Sequence, residues 1–107
     1  MKPFFVFICF MTVLLLSSCK TKSLLPDPLS AGWKGKKVCE KIEDNKHQRI
    51  LKCTFKPGVG HERHYHLPHF GYTLEGSTFK IKDTTGTRIV NVKTGSYFNN
   101  NGIEWHE

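Results

Sequence analysis

The chain changes character once along its length. Residues 4–16 are almost continuously apolar, whereas from residue 36 onward apolar and polar positions alternate in short runs. Alternation with a period of two sends successive side chains to opposite faces of a strand. Val38, Ile42, Ile50 and Thr54, and then Leu51, Cys53 and Phe55, trace such patterns through 36–44 and 48–56, two arms of a hairpin around Asn45-Lys46-His47. Residues 61–67, 72–74, 78–82, 88–93 and 103–107 continue as extended segments, with Asp83-Thr84-Thr85-Gly86 as a hairpin turn. No helical stretch competes after the apolar run and no internal repeat is present. The expectation is a single all-β domain of modest size.

The apolar run belongs to a leader. Lys2 precedes it and Ser17-Ser18 follow it, so residues 1–18 read as a secretion signal. A bilayer span takes about 20 residues, which makes this run short for a membrane helix. Its end, Leu16-Ser17-Ser18-Cys19, resembles the bacterial lipobox, in which the cysteine is acylated and becomes the first residue after cleavage. Cys19 is thus the expected lipidation site, and several acyl chains would hold the protein to a membrane firmly. Residues 19–32, with Pro26 and Pro28, read as a lipidated N-terminus and flexible tether, leaving 33–107 as the domain. Lys20 after the acylated cysteine favours, by analogy with diderm lipoproteins and in a diderm host, the periplasmic side of the outer membrane.

Charge adds little. Without Lys2, 15 Lys and Arg face 9 Asp and Glu, a net of +6. Lys34, Lys36, Lys37, Lys41, Lys46 and Arg49 cluster before or within the first hairpin. They could meet anionic headgroups or polyanionic sugars, or serve as solvated strand faces and a lysine-protected edge. Nucleic acid is not an expected partner of an exported, tethered protein.

Cysteine use is more pointed. Cys9 leaves with the leader and Cys19 takes lipid, so Cys39 and Cys53 remain. Pairing the hairpin about residue 46 sets these two opposite each other, and an oxidising compartment would permit a disulfide. A one-residue change of register would separate them as two small buried thiols.

Candidate chemistry gathers at His64-Tyr65-His66-Leu67-Pro68-His69, with His106 in a later segment. In an extended strand His64 and His66 share a face and can converge on one ion, while Pro68 marks a bend able to re-aim His69. Neutral imidazole suits Zn, Cu, Fe and Ni, and the four histidines read as ligands of a divalent transition metal, one of Fe, Mn, Zn, Ni or Cu. The plainer alternative is a basic surface segment with His69 and His106 as ordinary hydrogen-bonding residues.

These residues resemble the cupin family. Gly58, five residues, His64, Tyr65, His66 and a closing Gly76 follow its first motif, and six residues separate Gly76 from His69, which stands where a glutamate is usual. Gly95, then Asn101 and Ile103 in place of the usual proline and glycine, then His106, follow the second. The resemblance implies an antiparallel jelly-roll barrel over roughly residues 36–107 and metal ligation by His64, His66, His69 and His106. It also implies a small organic ligand, handled by a metal-dependent oxygenase or isomerase or held by a non-catalytic metal- or sugar-binding module. Tyr65, Tyr72, Glu75 and Glu104 lie near the motifs without an assigned catalytic role. A cupin continues with further strands after its second-motif histidine, whereas Glu107 ends this sequence. The expectation is an incomplete barrel, as part of a longer product or completed by strand exchange in a homodimer.

Overall fold

The computed structural model describes residues 24–107. The expected leader, the expected lipidation site Cys19 and the first part of the expected tether lie outside them. The described residues form ten strands and are all β. In chain order these are β1 Gly32–Trp33, β2 Lys36–Lys37, β3 Cys39–Asp44, β4 Arg49–Cys53, β5 His64–His66, β6 His69–Tyr72, β7 Ser77–Asp83, β8 Gly86–Val92, β9 Tyr97–Asn100 and β10 Ile103–His106. Four antiparallel sheets result: β1-β2, β3-β4, β6-β9 and a four-stranded sheet ordered β5-β10-β7-β8. The expected jelly-roll barrel, incomplete at its C-terminal end, does not appear as one continuous sheet among the described residues. The strands pair as separate ribbons beside one larger sheet, because no ladder joins β3-β4 or β6-β9 to it.

The β3-β4 hairpin pairs Cys39 with Cys53 and Asp44 with Arg49. Asn45 organises its turn: the backbone N–H of Asn45 donates to the Gln48 carbonyl at 3.0 Å, and the Asn45 side-chain oxygen accepts from His47 and Gln48 at 2.8 and 3.1 Å. An asparagine that satisfies nearby backbone donors in this way favours a turn over a continuing strand. Cys39 and Cys53 are joined as a disulfide. The register shifts between Lys41 and Glu43, and Ile42, which falls at this bulge, is 56% exposed. The alternation that marked this hairpin therefore does not bury its isoleucine.

The β7-β8 hairpin is regular from Ser77↔Val92 to Asp83↔Gly86. Asp83 fixes its two-residue turn by accepting from the Thr85 backbone and hydroxyl at 2.9 and 2.6 Å. Gly86, at φ 123°, continues the chain where other residues would be strained. On β7, Phe79, Ile81 and Asp83 are partly buried while Lys80 and Lys82 are exposed, so the first three define the inner face of the large sheet.

The segment expected to be a flexible tether is docked from Pro26 onward. Ala31 is 2% exposed, the Tyr65 backbone N–H donates to the Pro26 carbonyl at 3.2 Å, and Asp27 pairs with Arg49 at 3.0 Å. Gly32 then begins β1, and a tight turn with Lys34 at φ 50° and Gly35 at φ 81° returns the chain to β2. Two positive φ values in succession match the twist of flanking strands. Some of the basic cluster is thereby neutralised, since Arg49 meets Asp27 and Lys41 meets Asp44 at 3.6 Å.

Apolar burial is sparse. Among the described residues Ala31 and Cys39 are the fully buried apolar ones, while Phe70, Tyr72, Leu74, Ile89 and Tyr97 remain between 58% and 69% exposed. The most enclosed large side chain among the described residues is His64, at 1%. A polar ring holding the deepest position in so small a core calls for compensating partners.

Candidate metal centre

Three strand-level facts assemble the site. His64 and His66 are two apart on β5 and therefore face the same way. β10 runs antiparallel beside β5, with Ile103 opposite His66 and His106 opposite His64. Between those pairs two residues, Glu104 and Trp105, face the single residue Tyr65, which is a β-bulge. Strict alternation from Ile103 would turn His106 to the far face. The bulge restores it to the inner one.

The outer face confirms the parity. Arg63 lies 3.8 Å from the Trp105 ring centroid and pairs with Glu107 at 3.2 Å, while Lys82 meets Glu107 at 3.4 Å. Lys82 and Glu107 also exchange backbone hydrogen bonds of 3.0 and 2.9 Å, extending the β7-β10 pairing beyond His106↔Asp83. These charges clamp β5, β10 and β7 together on the side away from the histidines.

On the inner face the Nε2 atoms of His64, His66 and His106 stand 2.9 Å from one another along all three edges of a triangle. His64 Nδ1–H donates to the Glu62 carbonyl at 2.6 Å. That bond places the proton of the neutral ring on Nδ1 and leaves Nε2 as a lone pair. Metal–imidazole bonds of about 2.0–2.1 Å set two donors about 2.9 Å apart at a right angle and about 3.3 Å apart at the tetrahedral angle, so the triangle fits simultaneous coordination of one ion. These are the residues whose donor atoms form a metal-competent group among those described.

Burial keeps the rings neutral. Desolvation, reinforced by the neighbouring imidazoles, pushes His64 down to about 4 and His66 to about 3, and lowers His106 as well. Neutral nitrogen donors are what a metal requires.

His69, expected as the fourth ligand, stands beside this group and is not one of its members. Leu67 and Pro68 end β5, and His69 opens β6 in a different sheet. Its ring stacks on His66 at 4.5 Å, lies edge-on to Phe98 at 5.6 Å, and donates from Nδ1 to the Leu67 carbonyl at 2.7 Å. Gly71 permits this arrangement, because a side chain there would collide with the Phe98 ring. Of the residues left without a role, Tyr72 is exposed opposite Tyr97, Glu75 and Glu104 are exposed, and Tyr65 alternates away from the histidine face. His47 lies in the distant β3-β4 turn.

Gly58 and Gly95, which begin the two motif-like segments, play matching parts. Each has φ 79°, in turns closed by Val59 N–H to Lys56 carbonyl at 2.9 Å and Ser96 N–H to Lys93 carbonyl at 3.1 Å. A positive φ at the third position of a turn favours glycine.

Three neighbours of the centre were not singled out by sequence reasoning. His61 packs against His64 at 3.8 Å between ring centroids, touches Phe55 at 5.5 Å, and donates from Nε2 to the Pro28 carbonyl at 3.0 Å. Asp83 is the direct cross-strand partner of His106. Arg88, opposite Ile81 on β8, forms an ion pair with Asp83. The signal for Asp83 was present, since Phe79, Ile81 and Asp83 alternate in step, yet its place at the end of a strand reads equally as turn chemistry.

No family model, curated protein or solved structure matches this chain.

Proposed function

We propose that the protein is a metal-dependent, cupin-type protein of the bacterial envelope, exported and anchored through Cys19, whose centre on His64, His66 and His106 acts on a small organic ligand. The observation that carries this reading is the triangle of Nε2 atoms at 2.9 Å, with the His64 proton held on the opposite nitrogen. Three imidazole nitrogens turned toward a common point either share ring protons or hold a cation between them, and the lone pair of His64 Nε2 suits the second. The order of the histidines within the two motif-like segments supports a cupin-type jelly roll, and the Cys39–Cys53 disulfide supports an oxidising compartment.

Three protein ligands leave coordination positions for water and an incoming ligand, the arrangement of a catalytic rather than a structural centre. A metal there supplies Lewis acidity or, if redox-active, oxygen activation, the chemistry of an oxygenase or isomerase. This chain contributes a neutral donor set, an outer ion-pair clamp that fixes the strands, and His61 and His69 packed against two of the ligands.

A second reading, a non-catalytic metal- or small-ligand-binding module, is favoured by one observation. Asp83, the carboxylate paired across from His106, is engaged by Thr85 and Arg88, and those bonds hold it well below the usual carboxylate range. It is thus unsuited to delivering a proton.

Metal analysis of full-length protein purified without a chelating tag tests the proposal, followed by oxygen-uptake and isomerisation assays on small hydroxy and keto acids. About one transition-metal ion per chain, lost in His64→Ala and kept in His47→Ala, is the expected result. A metal-free protein that takes up no added ion would refute it, and a loaded protein without turnover would select the binding module.

A further inference from the structure

We infer that the inner face of the four-stranded sheet selects small dicarboxylates, with one carboxylate at the metal and the second anchored by Arg88. This rests on the metal reading above and goes beyond it in naming the ligand class.

Asp83 stands directly opposite His106, and Arg88 stands opposite Ile81, two residues before Asp83 on β7. Side chains of directly opposed residues share a face, and diagonal neighbours on that face lie about 7–8 Å apart, within reach of a long side chain. Arg88 makes that diagonal reach, since its Nη1 donates to Asp83 Oδ2. The guanidinium therefore lies over the strand next to His106, on the histidine side of the sheet.

Charge then decides the ligand. The metal-competent group consists of three neutral imidazoles and contains no carboxylate, so a divalent ion bound there keeps both of its charges. Asp83 does not offset them, because its carboxylate is already paired with Arg88 and hydrogen-bonded to Thr85. Ion, Arg88 and Asp83 together leave two positive charges on the inner face. His61 and His69, the other titratable side chains packed against the ligands, are imidazoles and supply no negative charge. A dianion balances the site.

Arg88 is equipped for the second contact. A guanidinium carries five N–H donors in a planar fork suited to carboxylates. Among the described residues its side chain pairs with Asp83, and it is 51% exposed. Asp83 holds the fork in place without consuming it, which makes Arg88 a positioned anchor rather than a free surface cation.

The test uses full-length protein loaded with Co2+, chosen because its visible spectrum reports ligands entering the metal shell. Succinate and butyrate, which differ by one terminal carboxylate, are titrated and followed by that spectrum and by calorimetry. Succinate should bind about tenfold or more tightly than butyrate, the size of one charge-assisted hydrogen-bonded contact. Arg88→Gln should abolish the preference while leaving Co2+ affinity unchanged. Asp83→Asn, which removes the negative charge beside the guanidinium while its amide oxygen can still accept from Arg88, should strengthen the preference, and Lys80→Gln on the opposite face of β7 should leave it alone. Opposite directions for Arg88 and Asp83 separate anchoring from a general loss of folding. Equal affinities for the two acids in loaded wild-type protein, or a preference that survives Arg88→Gln, would overturn the inference while leaving the metal centre standing. Failure of wild-type protein to take up Co2+ would instead bring down the metal reading and the inference with it.

Discussion

The β3-β4 hairpin and the β5-β10 pair are both short antiparallel ribbons with a bulge, yet they are held together in different ways. The hairpin closes locally: Asn45 turns the chain, and a disulfide ties residues 14 apart in sequence. Its apolar side chains Ile42 and Ile50 stay 56% and 43% exposed, so burial contributes little to it. The β5-β10 pair joins residues 42 apart between His64 and His106 and has no covalent link. What it has is enclosure of His64, three converging imidazoles inside, and the Arg63, Trp105, Glu107 and Lys82 clamp outside. A covalent staple can hold a ribbon that buries little, whereas a long-range ribbon needs a cluster to close on.

Reduction should break the first region and spare the second. Cys39→Ser with Cys53→Ser removes a cross-link closing a loop of about 15 residues, for which about 3 kcal/mol is the usual loss. With so few buried apolar groups, that is a large share of the stability expected for a domain of this size. Urea unfolding should show it, while metal affinity, measured where both proteins remain folded, should stay within about threefold. A variant that loses its metal site along with the disulfide would show that the two regions are not independent.

Acid should act the other way round. Unfolded imidazoles take up protons as pH falls below about 6.5, but in the folded protein His66 and His64 resist protonation down to about 3 and about 4. In that window the unfolded state binds more protons, so the stabilisation contributed by these rings is complete above the unfolded value and is lost as pH falls toward the folded ones. The urea midpoint of metal-free protein should therefore drop between pH 7 and pH 5, and His64→Ala should flatten the slope. A midpoint that rises on acidification would mean the cluster is stabilised by protonation.

The smallest effect sharpens the comparison most. Deleting Glu104 removes the extra residue of the β10 bulge and lets Trp105 oppose Tyr65 and His106 oppose His64 in regular register. Metal occupancy should then remain within about twofold of the wild type. Loss of metal in that variant would show that the bulge itself shapes the site.

The same contrast explains what the sequence could reveal. Local elements were legible: Asn45 and Asp83 announce their turns, alternation marks β7 and β8, and pairing about residue 46 sets Cys39 against Cys53. The spacing of His64 and His66 likewise announces a shared face. What depended on distant pairing was hidden. Nothing local to residues 103–106 signals a bulge, so the inward turn of His106 could be expected from motif resemblance but not from alternation. Asp83 and Arg88 join the site only because β10 inserts between β5 and β7. Pro26 to Ala31 look like tether by composition, and dock because Tyr65, His61 and Arg49 supply partners from elsewhere. The incomplete jelly-roll barrel expected from the family resemblance requires ladders between sheets, and alternation within a strand says nothing of which neighbour it meets.

The central claim is that His64, His66 and His106 hold one metal ion, and X-ray absorption at the metal edge of loaded full-length protein tests it most directly. The account predicts a shell with three imidazole nitrogens at about 2.0–2.1 Å, falling to two in His106→Ala and unchanged in His69→Ala. A fourth imidazole that disappears in His69→Ala would make His69 a ligand after all, and a shell without imidazole would contradict the account.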